Sequence, residues 1–115
     1  MTTTKKDFER FKTEFLKWVD RFGLKGYRVN FRHKKLESFA EIDINETAKA
    51  TVVSFTTHID EDCKFEFSTP EANAKHEAIH LLLYRLEYLG KCRHTQSDEF
   101  NEEAEKLVRI LEKVL

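Results

Sequence analysis

Apolar residues recur at helical spacing near the start of the chain. Phe8, Phe11, Phe15, Trp18, Val19 and Phe22 share one side of a helix expected over residues 5–22. Gly23 and Gly26 bracket its end, where glycine readily takes the backbone conformation that closes a helix. The period then changes to two. In residues 27–33, Tyr27, Val29 and Phe31 alternate with Arg28, Asn30 and Arg32. In residues 39–44, Ala40, Ile42 and Ile44 oppose Glu41 and Asp43, and residues 51–57 are rich in β-branched side chains. Three strands are predicted, with a turn at Asn45-Glu46-Thr47 and a short fourth strand or extended lead-in at 64–67.

Ser68-Thr69-Pro70-Glu71 carries the signals of a helix start: a hydroxyl to cap free amides, a proline suited to the first turn, and a carboxylate that complements the dipole. This helix is expected to end near Gly90. From Ala78 onward it reads as apolar almost all round (Ile79, Leu81, Leu82, Leu83, Leu86, Leu89), the pattern of a helix buried mid-fold. A last helix is expected from Asp98 to the end. The order predicts an α+β fold in one domain, 1–115: an N-terminal helix, a small three- to four-stranded, mostly antiparallel sheet, a buried central helix and a C-terminal helix.

Composition supports a globular chain with a well-solvated surface, 40% hydrophobic and 36% charged. Twenty basic side chains against 21 acidic ones leave a net charge of −1, which gives no strong signal for nucleic acid or anionic lipid. The basic stretch 27–35 is then expected to be a solvated hairpin. Cys63 and Cys92 are far apart and form no C-x-x-C pair, so they read as reduced thiols. No apolar run approaches the ~18 residues of a membrane span, and no apolar stretch follows the N-terminal charges. A soluble cytoplasmic protein is expected, with its oligomeric state open.

The chemistry lies in His76-Glu77-Ala78-Ile79-His80. Histidines four residues apart on a helix lie one turn above the other on one face, where both can ligate one zinc ion. Glu77, about 100° round the helix, reaches a zinc-bound water without becoming a ligand. This is the H-E-x-x-H arrangement of zinc peptidases, with the glutamate as general base. Zinc also needs a third protein ligand. On the last helix Glu103 falls about 40° from Leu107, inside the apolar stripe, and Glu99 about 80° away, at its margin. Glu103 leads, with Glu99, His94 and Asp98 as rivals. Tyr84 is a candidate oxyanion donor, Glu87 a candidate orienter of an imidazole, and Cys63 a candidate inhibitory thiolate. Residues 51–57 offer the best edge strand for an extended substrate. The alternative is a zinc-binding regulatory or interaction module without peptidase activity.

With H-E-x-x-H followed by leucines, strands before it and the acidic helix Glu102-Glu103-Ala104-Glu105 after it, the chain resembles minimal zincins of the gluzincin type. It also looks like the small metallopeptidases encoded by phages and prophages, a resemblance that would cover nearly its whole length. The resemblance implies a zinc-dependent peptidase in a host cytoplasm, acting on a peptide or protein substrate, with His76 and His80 as ligands and Glu77 as base. Asn101-Glu102 lacks the aspartate of the thermolysin-like N-E-x-x-x-D pattern, so the third ligand stays open.

Overall fold

A computed structural model describes residues 2–59, 69–92 and 96–114. It contains helices α1 (Lys5–Arg21), α2 (Pro70–Lys91) and α3 (Ser97–Val114), and strands β1 (Arg28–Lys34), β2 (Ala40–Asn45) and β3 (Ala50–Thr56). The fold is α+β, as the element order predicts. The possible strand at 64–67 lies outside the described residues.

Each end of α1 is fixed by its local sequence. Thr4 accepts from the Asp7 amide while the Asp7 carboxylate accepts from the Thr4 amide, a reciprocal capping box. At the other end Gly23 takes φ +70°, its amide donates to the Asp20 carbonyl, and the Leu24 amide donates to the Val19 carbonyl. This is a Schellman closure, and the left-handed φ is why glycine stands there.

The sheet order is β1-β3-β2. β3 inserts between the two earlier strands, parallel to β1 and antiparallel to β2. The sheet is therefore mixed, not mostly antiparallel, and the basic stretch 27–35 is not a hairpin: β1 pairs with β3, and Arg28, Arg32 and Lys34 project to solvent. β3, expected as the edge strand, is central. Its burial is continuous from Val53 to Thr56, which suits an uncharged run rich in β-branched residues with a strand on each side. The edge next to α2 is β2, where Ala40, Ile42 and Ile44 pack inward and Glu41 and Asp43 face out.

α1 and α2 cover one face of the sheet. Phe11 and Phe15 of α1 are fully buried; the Phe11 ring stacks on Phe55 at 4.8 Å, and both meet Phe31 edge-on. Val53, Ala74, Ala78, Leu81, Leu82 and Leu107 complete one core that joins all three helices to the sheet. α2 starts at Thr69, whose hydroxyl accepts from the Ala72 amide, with Pro70 in the first turn. A two-pronged pair from Arg10 to Glu71, 2.6 and 2.8 Å, ties that start to α1. α2 ends at Lys91, near Gly90 as expected; a Cβ added at Gly90 would sit 3.2 Å from the Phe100 ring, so its small size admits α3.

α2 is not buried all round. α1, α3 and the sheet cover three of its sides, and the fourth, carrying His76, Ile79 and His80, is exposed. Among the described residues no helix is long and apolar enough to cross a membrane.

Candidate functional site

The open side of α2 presents the two histidines. Their Nε2 atoms stand 3.2 Å apart, with ring centroids at 4.8 Å and planes nearly perpendicular. Two nitrogens each ~2.05 Å from a tetrahedral ion are separated by about 3.3 Å. The pair therefore has the spacing that a shared ion requires, and the same spacing serves a hydrogen bond in the metal-free protein. Neither imidazole is buried, so desolvation does not force them to find a partner.

The buried member of the motif is Glu77, 7% exposed. One residue on from His76, it turns toward the seam between α2 and β2. Among the described residues its carboxylate has no hydrogen bond or ion pair. Burial raises its pKa above the ordinary glutamate value, with the Glu41 charge adding to the effect and His76 and His80 opposing it. A carboxylate held in this way is a competent proton acceptor next to two potential ligands.

Glu77 and His80 line a cleft of about 480 Å³ whose far wall is β2 from Ala40 to Ile44 and whose floor continues along α2 through Tyr84 and Glu87. A second hollow of about 320 Å³, lined by Ser38, Phe39, Ala72, Asn73 and His76, shares Ala40 and Glu77 with it. The Tyr84 hydroxyl donates to the Ile44 carbonyl at 3.4 Å, so it braces β2 against α2. Glu87 is exposed on the cleft floor.

Glu103 is half-buried, as its place in the apolar stripe predicts, but it faces elsewhere. It lines a different cavity, about 230 Å³, with Leu81, Leu82 and Arg85. α3 crosses α2 on the face carrying those three residues, well round the helix from His80, so the structure does not bring Glu103 to the histidine pair. Asp98 and Glu99 are exposed at the start of α3. Among the described residues no third His, Cys, Asp or Glu joins the histidines in a group able to hold an ion. His94 and Cys63 lie outside the described residues.

Sequence reasoning missed Glu41 and Asp43 as part of this site. Their alternation with Ala40, Ile42 and Ile44 was visible, but the strand order that puts β2 beside α2 was not. Comparison with protein-family models, with curated proteins and with solved structures finds no match to this chain.

Proposed function

We propose that this chain is a zinc-dependent metallopeptidase in which His76 and His80 are two of the ion's three protein ligands and Glu77 is the general base. One observation carries the reading: two imidazole nitrogens converge to 3.2 Å on an open helix face, directly beside a buried carboxylate that has no other partner among the described residues. When bound, the ion supplies Lewis acidity, acidifying water and polarising a carbonyl. Glu77 accepts a proton from the attacking water on a carboxylate oxygen and returns it to the leaving amine. The edge of β2, which among the described residues has β3 on one side only, accepts an extended peptide by backbone pairing and holds its scissile bond along the seam above Glu77. A flexible segment of a protein substrate fits such a cleft.

The experiment is elemental analysis of protein purified without a metal-affinity tag, paired with peptide hydrolysis by the wild type and by Glu77→Gln. Zinc near one per chain in both, with turnover lost only in the variant, is the expected result. Zinc in both with no turnover in either means a metal-binding module; no zinc in either sinks the reading.

A further inference from the structure

The cleft is charged in one sense only. Glu41 and Asp43 line it from β2 and Glu77 and Glu87 from α2, and among the described residues no Lys or Arg lines it. Elsewhere carboxylates find cations: Glu71 pairs with Arg10, Glu14 with Lys17, and Glu46 with Lys49 and Arg85. Among the described residues none of the four cleft carboxylates forms an ion pair, and Glu41 only accepts from the Ser38 hydroxyl at 3.5 Å. Glu77 adds an independent sign that this wall awaits a ligand, since it is more than nine-tenths buried, lines the cleft and is without a partner among those residues.

We propose that the cleft selects peptide segments bearing Lys or Arg. The proposal rests on the peptidase reading for the path the substrate takes. A peptide added at the edge of β2 places alternate side chains on the outer face, beside Glu41 and Asp43. These stand about 7 Å apart, the repeat of two strand residues, so cations at alternate positions meet both. Glu87 lies seven residues beyond His80, about 10 Å along the helix axis. That is about three residues of extended chain from the histidines, on the helix side of the added strand, where it meets an inward-facing position and not those beside Glu41 and Asp43. Opposite charges directly across a strand pair favour binding, and like charges oppose it. An acidic segment is rejected, because the carboxylates it meets have no counter-ion to release them.

The test uses the full-length chain with zinc added and a fluorescent eight-residue peptide of Thr and Ala carrying Lys at alternate positions. Its counterparts carry Gln or Glu at those positions. Binding is read by anisotropy on the Glu77→Gln protein and cleavage by mass spectrometry on the wild type. The Lys peptide is expected to bind about sevenfold more tightly than the Gln peptide, two cross-strand charge pairs of middling strength acting together, and the Glu peptide most weakly. Neutralising Glu41→Gln and Asp43→Asn together should bring the first two peptides within about twofold, with an unchanged circular dichroism spectrum as the check on folding. Raising salt to about 1 M should shrink the preference in the unaltered cleft, because exposed charges are then screened within ~3 Å. Equal affinities for the three peptides, binding of none, or a preference untouched by both salt and the substitutions overturns the proposal. Cleavage without charge preference overturns it and leaves the peptidase reading standing. Charge-ordered binding without cleavage by the zinc-loaded wild type does the reverse.

Discussion

Two glutamates are equally buried and oppositely treated. Glu46, 8% exposed, sits in the turn after β2; Glu77, 7% exposed, sits on α2. Glu46 accepts from the Tyr27 hydroxyl at 2.7 Å, pairs with Lys49 and lies 3.4 Å from Arg85. Burial alone would raise its pKa, but the hydrogen bonds from Lys49 and Tyr27 and the charges of Lys49 and Arg85 outweigh it, so its pKa is lowered. Glu77 has the burial without those partners, and its pKa is raised. Burial therefore does not by itself tell a structural carboxylate from a reactive one; the partners do. Glu46 pins the β2–β3 turn to α2 and is spent on stability. Among the described residues Glu77 has no such partner, where two histidines and the edge of β2 meet.

The contrast breaks most visibly at the level of rate. Glu77→Gln is expected to cut peptide hydrolysis by about 100- to 10,000-fold, the usual worth of a general base, while Glu46→Gln leaves activity at a given fraction folded little changed. Steady-state kinetics on both variants decides this.

Stability should respond in the opposite order. Glu46→Ala is expected to cost about 2 kcal/mol in urea unfolding at neutral pH, since it removes hydrogen bonds to a charged group. The cost stays below that of breaking a fully enclosed pair because Lys49 and Arg85 can turn to solvent. With its folded pKa lowered, Glu46 contributes fully above the ordinary glutamate value of 4.5, and the contribution is lost as pH falls through the folded value. The cost of the substitution should fade over that same acid range.

Glu77→Gln in metal-free protein is expected to stabilise by about 1 kcal/mol at pH 8, by removing a buried charge that has no partner among the described residues. Here the sign reverses. A carboxyl with a raised folded pKa favours the native state most when protonated, so its penalty appears as pH rises from 4.5 through the folded value. Below pH 4.5 the gain should vanish. Urea midpoints of the two variants across pH should therefore slope in opposite directions, and parallel slopes would contradict the contrast.

The smallest effect tests one partner of Glu46. Burial, and then the adjacent Glu46 carboxylate, hold the Tyr27 hydroxyl well above the ordinary tyrosine range, so it remains a donor at any working pH. Tyr27→Phe removes one hydrogen bond and should cost about 1 kcal/mol, read from the same unfolding curves.

Much of this was legible in the chain. The stripe from Phe8 to Phe22, the caps at Gly23 and Thr69, and the alternation of β2 are local signals, and each element forms within a residue or two of where they point. The pairing of His76 with His80 is equally local, because helical geometry alone brings residues four apart together. The sheet order was not legible. Whether β3 lies at an edge or between its predecessors is set by which face of α1 and α2 the strands must cover, and its uncharged run is the one clue. The apolar count of α2 misled in the same way: Ile79 reads as core but is 37% exposed, because only three sides of that helix have neighbours.

The sequence by itself determined the elements, their ends and the convergence of two imidazoles, since these depend on contacts within a few residues. Tertiary structure decided which side of α2 stays open, which strand borders it, that Glu103 turns to another cavity, and that Glu77 is buried without a partner among the described residues while Glu46 is buried with several. Those outcomes depend on how layers pack against each other, and packing joins residues that no short-range pattern connects.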